Sequence, residues 1–359
     1  MQRLWQTWMF AVLVTTLAGS TALSTPGNRD YDHQGGNVRI AVGLVWEGET
    51  ISDASLMAIK NFRVESSDIR LIHFVAPALL ARSADESTKM AEILRSVVLP
   101  ADTFGVQLAP WKSVVEKSGA IFRSAPTFWG ASLDSSDCRV DCGREVPLYV
   151  YSDEEVRAII HQSRKIFAEK GFATAPVAHV QGWLAAPSIQ NAMRAEGITH
   201  SFSAVPVAEV ERVLQPWPLL KWIHGLWAGL TPNAQPFDVV TPSGMLTEMT
   251  MSGAVMDYAS IDDIKTRFKK LLTKVSESKN REFTFYVGTH SASAPQHIPR
   301  LSASLKLIHV LARDAGIKIS PLELPQPDPA IPLAHSTPGK TNGVTPAETN
   351  IEPRPHLAH

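Results

Sequence analysis

Six positions in this chain pair a chemically capable side chain with the end of an apolar run: Trp46, Glu47, Trp111, Gln181, Trp183 and His290. Strand ends of this kind are where parallel α/β folds collect their functional groups. Glu47 follows the run from Val38 to Val45, and His290 follows Phe283 to Thr289. Their place just after a strand makes Glu47 and His290 the candidate catalytic residues. Trp111 and Trp183 each offer an indole face on which the apolar side of a sugar ring can stack, or else they cap the interior of the fold. With Trp46 and Gln181 they form the candidate substrate-binding set. His73, His179 and His290 could converge as ligands of zinc or another divalent metal, which takes about three protein ligands and one open position. His73 lies inside an apolar run, where a hydrogen-bonded core histidine is the common outcome. Ser291 and Ser293 stand beside His290, but the chain has no Gly-Xaa-Ser-Xaa-Gly elbow to make a serine nucleophile of either.

Alternating elements must position these groups. Val38 to Val45 reads as a buried first strand, and Ser52 or Asp53 caps a helix with Leu56, Ile59 and Phe62 on one face. Ile69 to Val75 then reads as a second strand, and strand, helix, strand opens a parallel fold. The periodicity continues with a helix over Thr88–Val98, a strand over Phe104–Leu108, a long helix over Asp153–Lys170 ended by Gly171, and a strand over Pro176–Val180. A helix over Ser188–Glu196, a strand over Ser201–Val205, a helix over Ile261–Val275, a strand over Phe283–Val287 and a helix over Pro299–Ala315 complete the pattern. Between Glu209 and Met251 it is irregular, with Pro and Trp residues. The count predicts a distorted (β/α) barrel of about seven parallel strands over residues 38–322.

The 359 residues carry 34 Lys and Arg against 35 Asp and Glu, so no bulk charge draws the chain to nucleic acid or to an anionic membrane. Arg3 and the apolar run from Trp8 to Val14, followed by small residues, read as a signal peptide over residues 1–22. That predicts a secreted or periplasmic protein with no integral membrane segment after cleavage. Cys138 and Cys142, the only cysteines, then read as a small disulfide loop. Nine prolines in the last 39 residues and little apolar periodicity predict a disordered tail over residues 323–359.

Val42–Gly48, Gly105–Trp111, Val180–Ala185 and Phe285–His290, read in order with the stretches at Gly119–Phe128 and Gly197–Pro206, resemble the polysaccharide deacetylase family with the NodB-homology fold. The resemblance implies a barrel in which an Asp and two His hold a divalent metal, a second Asp acts as base and a late His as acid. His290 falls at the late His. Val45 stands where the family has an Asp, although Glu47 is near, and the two metal histidines correspond to Gln107 and Ala109. The expectation is therefore a pseudoenzyme without cofactor that binds envelope or extracellular glycan. The alternatives are an active metal-dependent deacetylase, a hydrolase with His73, His179 and His290 as rebuilt ligands, and a structural envelope protein.

Overall fold

The computed structural model describes residues 36–47, 50–134, 138, 140–278 and 281–327. The expected signal peptide and most of the expected tail lie outside the described residues. The chain begins with β1 (Asn37–Trp46), buried without interruption from Ile40 onward. Ser52 caps α1 (Asp53–Glu65) by accepting the Ser55 backbone N–H at 3.1 Å, and the helix leads to β2 (Ile72–Val75), buried at all four residues. Next come α2 (Ala84–Arg95), β3 (Thr103–Leu108), α3 (Lys112–Lys117) and α4 (Asp153–Glu169). A reciprocal capping box between Ser152 and Glu155 starts α4 and satisfies two backbone donors that a helix start leaves open. β4 (Val177–Val180), α5 (Pro187–Ala195) and β5 (His200–Ala204) follow, each within three residues of the range its periodicity predicts.

The irregular stretch resolves into α6 (Val207–Leu214), α7 (Pro218–Trp227) and an antiparallel hairpin of β6 (Phe237–Thr241) and β7 (Gly244–Thr250). The short β8 (Ala254–Val255), α8 (Ile261–Glu277), β9 (Glu282–His290), α9 (Ala294–Asp314) and β10 (Lys318–Pro321) close the described chain. Strand order is β6-β7-β5-β4-β3-β2-β1-β9-β8, with β10 added to β1, and every pair other than the hairpin is parallel.

This is a curled, open half-barrel of ten strands among the described residues, where strand counting predicts a distorted barrel of about seven parallel strands. The edge of β9 ahead of its pairing with β8 is finished by side chains. Gln235 accepts the Thr284 N–H at 2.7 Å and donates to its carbonyl at 3.2 Å, while the Ser252 hydroxyl accepts from Tyr286 N at 3.1 Å. Such side-chain pairing meets the need of buried backbone groups without another long strand.

β10 shares an edge of β1 with β2: Asn37–Ile40 pair with Lys318–Pro321, and Gly43–Trp46 pair with Ile72–Val75. Leu324, beyond the expected domain end at 322, is 9% exposed and belongs to the core. Inside the curl, the Phe74 and Tyr286 rings each pack 5.1 Å from Phe202. Gly43 and Gly288, neighbours in register, leave room for Tyr286, since a Cβ on Gly43 would lie 2.5 Å from the phenol oxygen.

Glu248 on β7 is 0% exposed, and its carboxylate accepts the Gln190 amide at 2.8 Å. Burial pushes its pKa up to about 7. The folded state therefore holds this proton more tightly than the unfolded chain, so the contribution is full below about pH 4.5 and lost as pH rises through 7. Glu248→Gln should gain about 2–3 kcal/mol relative to wild type between pH 5 and pH 8. Urea unfolding at the two pH values checks this, and equal differences at both would refute it.

Candidate functional site

The carboxyl ends of β1, β3, β4 and β9 meet at one mouth. Val45 is the register partner of His290, and Gln107 of His179. Successive strand side chains alternate faces. Phe74 packs on His179 and Phe202 in the interior, so His73 points to the helical side of the sheet. There its Nδ1 accepts the Trp46 indole N–H at 3.0 Å and its Nε2 faces Asp102 at 3.1 Å. Burial is the largest influence on this imidazole and lowers its pKa. With both ring nitrogens engaged on the wrong face, His73 cannot join His179 and His290 around a metal.

His290 is the charged centre of the mouth. Its Nδ1 lies 3.1 Å from Asp257 Oδ1 and its Nε2 3.7 Å from Glu47 Oε1. Burial alone would lower its pKa, but Asp257 and Glu47 outweigh that and push it up to about 9. At neutral pH it is an imidazolium, a proton donor rather than a base. Asp257, between β8 and α8, is fixed by hydroxyls: Ser293 donates to Oδ1 at 2.5 Å and Thr289 to Oδ2 at 3.2 Å. Burial would raise this carboxyl, and the His290 charge with the hydrogen bonds from His290 and Ser293 hold it well below the usual carboxylate range.

Glu47 is gripped by amides. Gln181 Nε2 donates to its Oε2 at 3.0 Å and Gln107 Nε2 at 3.3 Å, and Gln107 also donates to Gln181 Oε1. Burial opposes its ionisation, while His290, Arg144 and the Gln181 hydrogen bond lower its pKa overall. Ala109 is buried and brings only a methyl group. Among the described residues no group of three or more His, Cys, Asp or Glu side chains is placed to hold a metal ion.

Gln107 and Gln181 thus direct amide N–H groups at Glu47, a polarity that welcomes a carboxylate and repels a cation. They do not fit a catalytic zinc. His179 is driven down to about 3 by burial and by the nearby His290 charge, and its Nδ1 is buried without a hydrogen-bond partner.

The tryptophans behave differently from the expected stacking set. Trp46 is 0% and Trp111 1% exposed, so neither presents a ring face at the mouth. Trp183 is 5% exposed, its ring between those of His179 and Tyr258, 6.3 and 6.1 Å away. Trp183 also adopts the left-handed backbone region at φ 59°, as Gly182 does at 66°, and its carbonyl accepts the Trp227 indole N–H at 2.8 Å. The cavity beneath, lined by Val45, His179, Trp183, Tyr286 and His290, measures about 10 Å³. That is room for roughly one water molecule, so a sugar ring would stay at the mouth.

Cys138 and Cys142 form a disulfide. The loop is pinned on α3, where Lys112 N donates to the Cys142 carbonyl at 2.8 Å and the Ser113 hydroxyl to Asp141 at 2.5 Å. It is followed by Arg144, which lies 5.9 Å over the Trp111 ring and whose charge acts on Glu47. Roomier clefts, one of about 270 Å³ lined by Ile40, Arg70 and Leu324, lie at the opposite end of the sheet beside β10.

Asp257 is the site residue the sequence reading misses. Its only signal is the short apolar stretch Ala254–Met256 before it, and a two-residue strand is too brief to register as one.

No protein-family model matches the chain, and no curated protein matches it. Solved structures do. A family 4 carbohydrate esterase from Streptomyces lividans shares 9% identity at a TM-score of 0.37, covering 81% of this chain and 98% of its own. An α-amylase from Thermotoga maritima shares 9% identity at 0.44, covering 82% and 76%. A family 4 carbohydrate esterase pseudoenzyme from Bacillus anthracis shares 8% identity at 0.33, covering 79% and 63%. Likenesses this remote carry no functional argument, and the reading of the mouth rests on this chain's own residues.

Proposed function

We propose that this is an exported glycan-binding protein on a deacetylase-like scaffold, engaging envelope or extracellular polysaccharide at the mouth without deacetylating it. One observation carries the reading: of the two positions where the resemblance calls for metal-binding imidazoles, Gln107 turns an amide N–H on Glu47, as Gln181 does beside it, and Ala109 brings only a methyl group. A carboxylate fixed by two amides beside an imidazolium remains a directed acceptor for hydroxyl donors, and the Gln181 amide is a further polar contact. Export is supported by Arg3 and the apolar run behind it. The rebuilt-metal alternative loses one of its three ligands with His73 turned to the other face.

Protein purified in zinc-supplemented buffer and then dialysed should retain no stoichiometric zinc by elemental analysis, and should release no acetate from chitin oligomers or peptidoglycan. One zinc per chain, lost on mutating His179 or His290, would overturn the reading in favour of an active deacetylase. Absence of both metal and oligosaccharide binding would favour a structural envelope protein.

A further inference from the structure

Trp129 is 43% exposed, the one aromatic ring among the large exposed apolar side chains of the described residues. It is not isolated. The half-buried Trp217 ring stands 5.6 Å away at 81°, so the two indoles form a corner. Behind the corner, the buried Phe128 meets Trp129 edge-on at 6.3 Å and Trp222 at 6.4 Å. The backbone locks this arrangement: the Phe128 N–H donates to the Glu145 carbonyl at 2.8 Å, and the Phe128 carbonyl accepts from Leu219 N at 3.2 Å.

The corner borders the mouth. A Cβ on Gly182 would lie 2.8 Å from Phe128 Cζ, and Gly182 stands between Gln181, which holds Glu47, and Trp183. Trp129 lies in the loop beyond the short α3 that follows β3, and Trp217 directly beyond the short α6 that follows β5.

We infer that Trp129 and Trp217 form a sugar-stacking subsite next to the Glu47 mouth, taking a pyranose ring of the same chain whose neighbouring unit hydrogen-bonds at Glu47 and Gln181. A pyranose has the matching chemistry, an apolar C–H face for an indole and hydroxyls on its edge for carboxylate and amide. The inference rests on the glycan-binding reading and places the aromatic contact on Trp129 rather than on the buried Trp46 and Trp111.

Calorimetric titration of the full chain with chitohexaose, and separately with xylohexaose, tests it. Wild type should bind at least one of them. Trp129→Ala should weaken that binding about tenfold and Trp129→Phe only about twofold to threefold, whereas Glu47→Gln should weaken it independently of the aromatic corner. Bound oligosaccharide should also protect Trp129 of the wild type from oxidation by N-bromosuccinimide, read by mass spectrometry, a measurement that does not depend on a variant folding. Wild type that binds neither oligosaccharide refutes the glycan reading and this inference with it. Binding that is lost in Glu47→Gln but unchanged in Trp129→Ala, or that leaves Trp129 unprotected, refutes the stacking subsite alone.

Discussion

Asp102→Ala should cost about 3–5 kcal/mol of stability, among the largest single-residue effects in the chain. The side chain of Asp102 is 0% exposed and serves four groups at once. Arg63 Nη2 donates to both oxygens at 2.9 and 3.0 Å, His73 Nε2 lies at 3.1 Å, and the backbone N–H groups of Leu71 and Leu99 donate at 2.9 and 2.8 Å. Burial would raise this carboxyl, and the partners led by His73 hold it below its ordinary value instead. Removing it leaves a nearly buried guanidinium without its counter-charge and three other donors without an acceptor, the situation in which loss of one partner costs more than the pair contributed. Its stabilisation is present above the ordinary carboxylate range and is lost as pH falls through the lowered value. Urea unfolding at neutral pH measures the cost. A loss under about 1 kcal/mol, the usual worth of one exposed ion pair, would mean the hub is replaceable.

Asp257→Asn should cost about 3 kcal/mol at pH 7 and should lower the His290 pKa from about 9 by roughly one to two units, leaving Glu47 as its remaining carboxylate neighbour. The sign follows from the direction of each shift. The raised His290 value contributes stability in full below about 6.5, lost as pH rises through about 9. The lowered Asp257 value contributes above about 3.8 and is lost as pH falls. Wild type should therefore weaken between pH 7 and pH 9.5, and the variant should weaken less over that interval. NMR titration of the His290 ring reads the pKa directly, and an unchanged value would show that Glu47 alone holds the proton. This window lies above the one assigned to Glu248, so the two groups can be separated by pH.

Much of the framework is legible from residue pattern because strands such as Val177–Val180 are short, mostly apolar runs and helices such as Asp153–Glu169 carry a clean period and a cap. The convergence of Glu47, Gln181 and His290 follows once those elements are placed, since each ends or follows a parallel strand. Facing is harder to read. β2 is buried on both sides, so its four residues show no alternation, and nothing in Ile72–Val75 reveals that His73 turns away from the mouth while Phe74 turns toward it.

The tryptophans mislead for a related reason. An indole suits a core cap and a ligand platform equally, and only the packing around Trp111 and Trp129 tells one from the other. The β6–β7 hairpin hides because it is an edge, with Val240 87% exposed and Met245 59% exposed at its tip. The open curl hides with it, because pattern counts strands but does not count the hydrogen-bonded edges between them.

The way β10 and β2 divide one edge of β1 bears on the order in which the molecule can assemble. Asn37–Ile40, at the start of the described chain, find their partners only in Glu282–Phe285 and Lys318–Pro321, more than 240 residues later. A ribosome delivering this chain from its amino end would present β1 long before either neighbour of its lower half exists. The upper half can pair with β2 early, as a local strand-helix-strand unit. The lower half stays an open template until the last strand emerges, a long-range closure of the kind that slows folding and leaves an unsatisfied edge exposed meanwhile. Completion of this edge is thus a late event tied to the four residues of β10, and a chain stopped after α9 would retain the mouth's residues while leaving Asn37–Ile40 paired with β9 alone and open on the other side.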